Sequence, residues 1–292
     1  GTVGSWDNYR TEGDISGPLN DSGTVRGRFV GALQDKDSYI DHYSQKKDLY
    51  YGILEADLTD DTLLTVGVDK SSATPRGSSW TGNTAYFADG GRTDFSRSFN
   101  PGADWSRRDF DSITYFASLE QALANGWKFK ASFDQKTTDH DTQLASASGG
   151  FPDRATGEGM FFYWGRWEGH RVQNTADVNV TGPFSLGGRE HELVAGFMTS
   201  HSRQTGATYD SSAFGQVTGN IFDWEGHVAK PDFPKNGKYE RTLSQNGAYL
   251  ATRLRPTDDL SFIVGGRVST FKYNEDYAYY PGTGQVDTQA SY

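Results

Sequence analysis

The sequence predicts an all-β chain, a segment of a transmembrane antiparallel β-barrel, and three observations predict it. Apolar and polar residues alternate with period two in run after run, which places successive side chains on opposite faces of a strand. The runs come in pairs joined by short turns rich in Asn, Asp, Gly and Pro. Longer connections of a different composition separate the pairs, so short turns and long loops alternate along the chain.

The elements follow in order. Over Thr24–Gln34, Val25, Gly27, Phe29, Gly31 and Leu33 share one face, opposite Arg26 and Arg28. Over Asp109–Leu119, Ile113, Tyr115, Ala117 and Leu119 oppose Ser112, Thr114, Ser118 and Glu120. Over Trp127–Phe133, Trp127, Phe129, Ala131 and Phe133 oppose Lys128, Lys130 and Ser132. Over Val172–Val180, Val172, Ala176, Val178 and Val180 oppose Gln173, Thr175, Asp177 and Asn179. Turns are expected at 19–23, 59–62, 122–126, 183–190 and 256–259, where Asn, Asp, Gly and Pro tolerate the backbone angles that tight turns demand. Five hairpins imply about ten strands of roughly 10–16 residues each, against about 5–6 in soluble sheets. Ser118–Asn125 has helical propensity, but it lies between two alternating runs and ends in Asn-Gly, so it is assigned to strand and turn.

The connections Ser71–Arg108, His140–Gly169 and Gln204–Glu240 are long and rich in Gly, Ser, Asp and aromatics. Such loops are unusual in compact soluble domains. Short periplasmic turns with long extracellular loops are the layout of outer-membrane barrels. On that layout Phe29, Ile113, Phe129, Val178 and Phe197 face lipid, while Arg28, Thr114, Lys130, Asp177 and Met198 face the lumen. Trp6, Tyr9, Tyr50, Tyr51, Trp127, Phe271 and Tyr273 are expected in the aromatic girdles at the membrane interfaces. A soluble β-sandwich is the bland alternative; strand length and the mixed-charge polar faces argue against it.

Composition bounds the function. The 292 residues contain no Cys, so disulfides and thiolate chemistry are excluded. Mean hydropathy is −0.70 with 35% hydrophobic residues and 35 Gly, yet 14% of the chain is aromatic, which disorder does not carry. No run approaches the ~18 apolar residues of a transmembrane helix. A net charge of −10 without a basic stripe disfavours nucleic acid as a partner. The chain begins Gly-Thr-Val without Met, which suggests a mature, processed or excised segment. The six His show no zinc spacing. Asp139-His140-Asp141 could orient an imidazole or hold a metal, but on a loop it is more simply solvated. Asp60-Asp61 and Asp258-Asp259 suit turn chemistry. No catalytic constellation stands out, and an enzyme is not expected.

Three segments resemble the barrel of TonB-dependent siderophore receptors: Gly4-Ser5-Trp6-Asp7 through Asp14–Gly23 to Arg26-Gly27-Arg28, then Tyr51–Leu58, and Leu260–Val268. The match is to the branch containing ferric-pyoverdine and ferric-coprogen receptors. In that branch Gly77-Ser78-Ser79-Trp80 and Ser96–Asn100 with Asp104-Trp105 have loop counterparts. The resemblance implies a barrel of about 22 strands in a Gram-negative outer membrane. It further implies contact with outer-membrane lipid and lipopolysaccharide, an N-terminal plug, and import driven by TonB–ExbB–ExbD through that plug. Against this pattern, residues 1–292 are expected to form part of the barrel domain alone, with plug and C-terminal strands absent. The ligand would be a ferric siderophore of hydroxamate or pyoverdine type. It saturates its own iron, so no protein cofactor or metal ligand is required.

Candidate ligand contacts are Trp80, Tyr86, Trp105 and Arg107 in the second long connection, and Tyr163, Trp164 and Trp167 in the third. Rigid aromatics bury large area at little rotamer cost, and Arg adds charge-assisted contacts to an anionic chelate. The same rings could simply pack the loops together or mark the membrane interface. A passive porin or surface-binding barrel without energy coupling is the alternative function.

Overall fold

The computed structural model describes residues 1–210 and 216–292. Among these described residues thirteen strands form one antiparallel sheet: β1 (Thr2–Gly4), β2 (Asn8–Pro18), β3 (Val25–Asp37), β4 (Ser44–Thr59), β5 (Thr62–Arg76), β6 (Arg107–Ala122), β7 (Lys128–Gly150), β8 (Met160–Leu186), β9 (Arg189–Tyr209), β10 (Gln216–Val217), β11 (Lys235–Leu254), β12 (Phe262–Tyr279) and β13 (Thr288–Ser291). Each long strand pairs with its neighbours in sequence, an up-and-down meander in which only β10, paired to β8, leaves the path. β1 and β13 are the two edges of this open sheet. Ten of the strands are long, as the five hairpins predicted, and the three additions are short.

All five short turns fall at one rim, so Asp60 and Trp80 lie at opposite ends of the sheet. Local chemistry sets them. At Leu186-Gly187-Gly188-Arg189, both glycines take positive φ (61° and 76°), the requirement of a two-residue turn that follows the twist of the strands. β6 runs through Ala122 as strand, and the Ala124–Gly126 turn follows it.

Register confirms the two faces. Phe29 pairs with Gly52, Gly52 with Val68, Val68 with Tyr115, Ala117 with Phe133, Ala131 with Val178, and Val178 with Phe197. Phe29, Phe133 and Phe197 remain 52%, 48% and 45% exposed, as side chains awaiting lipid would be. The opposite face carries Arg28 with Asp14 (2.6 Å), Arg26 with Asp57 (2.6 Å) and Lys130 with Glu120 (2.7 Å). The girdle expectation needs correction at three rings. By register Tyr51, Phe271 and Tyr273 share the polar, lumen-side face, with Phe271 opposite Gln245 and Tyr51 stacked on Phe116.

The long connections are shorter than expected, because strands continue into them. β7 and β8 extend to Gly150 and from Met160, reaching 23 and 27 residues, and leave only 151–159 as loop. β9 and β11 likewise reduce the third connection to 210–234, of which 211–215 lie outside the described residues. A membrane crossing needs about 9–11 residues, so the loop-side halves of β7, β8, β9 and β11 stand beyond the hydrocarbon. Asp139-His140-Asp141 is therefore strand: His140 stacks on Phe110, and the flanking carboxylates bind His170 and Arg166 on the other face.

Beyond the membrane band the sheet acquires a core. Ala145, Ala147, Met160, Phe162 and Trp164 are buried under Ala103 and Ile221, with Phe99, Trp105 and Trp224 packed around them. The loops interlock: Trp105 Nε1 donates to Val228 O (3.0 Å) and Trp224 Nε1 to Gly102 O (3.3 Å). The Asn100 amide, 3% exposed, donates to Asp41 O and Gly77 O and accepts from Gly102 N–H. Arg154 lies over the Phe87 ring (4.4 Å) and grips Asp89 with two bonds (2.8 and 3.0 Å). That guanidinium, helped by Gly91 N–H, holds the Asp89 carboxyl down at about 2.

Candidate functional site

Period two divides the aromatic segment of β8 between two faces. Phe162 and Trp164 turn into the loop core, whereas Tyr163 and Trp167 fall on the lumen-side face, the one that carries Lys130 on β7. Trp80 comes down from the β5–β6 loop to meet the second pair. Its ring centroid lies 4.7 Å from Trp167 and 6.3 Å from Tyr163, edge-on to both. The Ser146 hydroxyl anchors this contact by accepting from Trp80 N–H (3.0 Å) and sharing a 2.6 Å bond with Ser79.

Facing Trp80 and Trp167 is a second aromatic wall, from β11 and β12. Tyr239 and Tyr277 pair across the strands with rings 5.9 Å apart, and Tyr279 lies parallel to Tyr277. The Tyr239 ring lies across bare backbone: a Cβ on Gly206 would come within 2.6 Å of it, so any side chain there would lift the ring. Gln204 Nε2 donates to Tyr239 OH, which donates to Glu168 O (both 3.0 Å), fixing the ring. Arg241 stacks over Tyr239 (4.9 Å) and is paired with Glu275. Between the walls is a cavity of about 380 Å³, lined by Trp80, Trp167, Gln204, Tyr239, Arg241 and Tyr277. Thr208 also lines it, and its buried hydroxyl has no partner among the described residues. An unmade bond of that kind costs about 1–3 kcal/mol and is available to a polar ligand.

The cleft suits a flat, largely uncharged group held by ring faces, with one orphan hydroxyl and one stacked guanidinium for orientation. Of the seven candidate residues, Trp80, Tyr163 and Trp167 are brought together here. Trp164 and Trp105 belong to the loop core on the opposite face. Arg107 is committed to Asp109 and Asp141 on the outward wall. Tyr86, bridged to Arg92, stands 46% exposed on its own small turn. Tyr239, Arg241, Tyr277 and Thr208 were missed because two of them lay inside the supposed third connection. The Tyr239/Arg241 and Tyr277/Tyr279 spacing of two was the available signal. Among the described residues no group of three or more His, Asp or Glu is placed to hold a metal ion.

Long meandering strands with a lipid face, a polar lumen face and an aromatic cleft among extracellular loops define a receptor-type outer-membrane β-barrel segment. A family model described as TonB dependent receptor-like, beta-barrel, matches residues 50–292. The ferripyoverdine receptor of Pseudomonas aeruginosa is 43% identical over 273 residues, 92% of this chain and 33% of that protein. The ferric-pyoverdine BN7/BN8 receptor of Pseudomonas putida is 40% identical over 280 residues, 93% of this chain and 34% of that protein. A crystal structure of the Pseudomonas aeruginosa outer-membrane ferripyoverdine receptor bound to ferripyoverdine superposes with a TM-score of 0.83 at 38% identity, covering 99% of this chain and 37% of that one. The chain belongs to the TonB-dependent receptor family of Gram-negative outer-membrane β-barrels. It spans about a third of the length of the curated relatives it matches. Membership favours a receptor over a passive porin, and these relatives are named as receptors, not enzymes.

Proposed function

We propose that the chain is the ligand-reading part of the barrel in a receptor that imports a ferric siderophore of pyoverdine type. The observation that carries this is the cleft between Trp80–Trp167 and Tyr239–Tyr277 on the lumen-side face at the loop rim. Its two ring-built walls suit a planar siderophore group, and relatives of 43% and 40% identity are named for ferric pyoverdine. All of 1–292 is taken as barrel domain, since the register runs unbroken through β1–β4, ahead of and across the start of the matched region. Iron enters as cargo with its ligand shell filled by the chelator, so the protein reads the chelator's surface and supplies no metal ligand. Coupling to TonB–ExbB–ExbD is assigned to a plug in the longer protein.

The test is titration of the full-length receptor with ferric pyoverdine, read by quenching of tryptophan fluorescence. Tyr277→Ala and Trp167→Ala should each weaken binding by about 1–2 kcal/mol, the value of a lost aromatic contact with its buried area. Unchanged affinity in both variants would sink the assignment of this cleft.

A further inference from the structure

The lipid-side surface is not uniformly ridged. Across β2–β5 it carries glycines where neighbouring strands carry large apolar side chains: Gly17 pairs with Gly27, and Phe29 with Gly52. These gaps join into a groove of about 850 Å³, walled by Ile15, Leu19, Phe29, Leu54 and Tyr115. At Gly27 the walls close over the floor, since a Cβ there would meet Leu19 Cδ1 and Leu54 Cδ2 at 3.2 Å. At Gly17 nothing lies within 4 Å of such an atom, and at Gly52 only Val68 Cγ1, at 3.7 Å. The groove is thus a slot of nearly wholly apolar lining that no side chain among the described residues fills.

Its position specifies the occupant. Leu19 and Pro18 adjoin the β2–β3 turn, at the rim of short turns, which in this family of barrels is the periplasmic side. A strand tilted about 45° gains roughly 2.4 Å of depth per residue. Leu19 lies level with Val25, four residues below Phe29, so from Leu19 up to Phe29 the groove spans about 10 Å, a third of a ~30 Å hydrocarbon layer. It is continuous with the lipid face and confined to the inner leaflet, where the acyl chains belong to phospholipid. We propose that this groove is a binding site for one acyl chain of an inner-leaflet phospholipid, held more tightly than the lipid around it. A second protein would need a matching ridge; a flexible chain conforms to a slot and fills voids the protein leaves. The inference rests on the membrane placement of the fold and is independent of what the receptor imports.

The experiment uses the full-length receptor, delipidated in mild detergent and titrated with phosphatidylethanolamine, with bound lipid counted by native mass spectrometry. Gly17→Leu/Gly52→Leu fills the slot at positions where space is open. Gly266→Leu, on the same face with nothing within 4 Å, is the control for an added leucine outside the groove. The expected result is one tightly held phospholipid on the wild type and on Gly266→Leu. The filled variant should lose it by about tenfold in occupancy, the worth of roughly two buried methylenes. Retained heat-modifiability on gels shows that each variant is a folded barrel. Equal occupancy in filled and wild-type protein overturns the proposal. So does preferential retention of lipopolysaccharide, or a receptor dimer that the filled variant abolishes.

Discussion

Two regions of this sheet solve the same problem in opposite ways. In the membrane band Phe29, Phe133 and Phe197 stay about half exposed, because hydrocarbon completes their surroundings. In the loop-side crown Met160, Phe162 and Ile221 are at most 2% exposed, covered by the interlocked segments 77–106 and 218–234. One β8 strand runs through both. The difference teaches that period-two alternation reports which face a residue takes, while only the surroundings decide whether an apolar residue there must be covered. Above the membrane the solvent is water, and the protein has to supply its own lid.

Two substitutions sharpen that contrast. Phe162→Ala should cost the crown about 3–5 kcal/mol, as a large buried aromatic does. Hydrogen exchange in 98–106 and 216–234 should rise sharply while the barrel still assembles. Assembly failure with an intact crown would show that the two regions are not separable. Phe133→Lys should cost about 2–4 kcal/mol at the bilayer midplane and block insertion, whereas Lys130→Ala, losing a half-exposed pair with Glu120, should leave assembly intact. Equal tolerance of both would mean that Phe133 does not meet lipid.

The same contrast explains what was legible. The membrane band was, because one face must be apolar and the other wet, as Phe129/Lys130 and Val178/Asp177 show. The strand ends in the crown were not. Asp139, Asp141, Glu168 and His170 put ionisable groups on the outward face that carries Phe133 and Val178 lower down, since water replaces lipid there, so the apolar–polar alternation vanishes although the ladder continues. The site was half legible. Trp80 and Trp167 stood out as aromatics near loops, but Thr208 and Tyr239 lay on strand mistaken for connection. Phe162 and Trp164 looked identical to Tyr163 and Trp167 until register placed them on opposite faces.

Trp80 and Trp105, both from the 77–106 loop, separate lid from ligand site. Trp80→Ala should weaken ferric-siderophore binding by about 1–2 kcal/mol with crown exchange unchanged. Trp105→Ala removes a ring packed on the core and its bond to Val228 O, so it should loosen the crown first. A larger affinity loss for Trp105→Ala would reverse these roles.

The smallest effect expected is electrostatic and lies at the clasp between the two long loops. His227 Nδ1 bonds Asp104 Oδ2 at 2.8 Å, and next to it Asp104 N–H donates to Gly226 O. The hydrogen bond to Asp104, then its charge, with a contribution from Glu225, raises the imidazole pKa above its ordinary 6.5, while burial opposes the shift slightly. A group whose folded pKa lies above its unfolded value stabilises while protonated. That contribution is complete below pH 6.5 and is lost as pH rises through the raised value. Both side chains are well exposed (70% and 41%), so solvent screens the pair and the clasp should loosen modestly rather than open. The measurement is hydrogen exchange of 98–106 and 221–234 between pH 6 and 8.5, corrected for intrinsic rates. Protection should fall across that window in the wild type and stay flat in His227→Gln. The variant keeps a hydrogen-bonding side chain of similar reach while removing the titrating ring. If His227→Gln kept the full pH dependence, the pair with Asp104 would be incidental to the clasp.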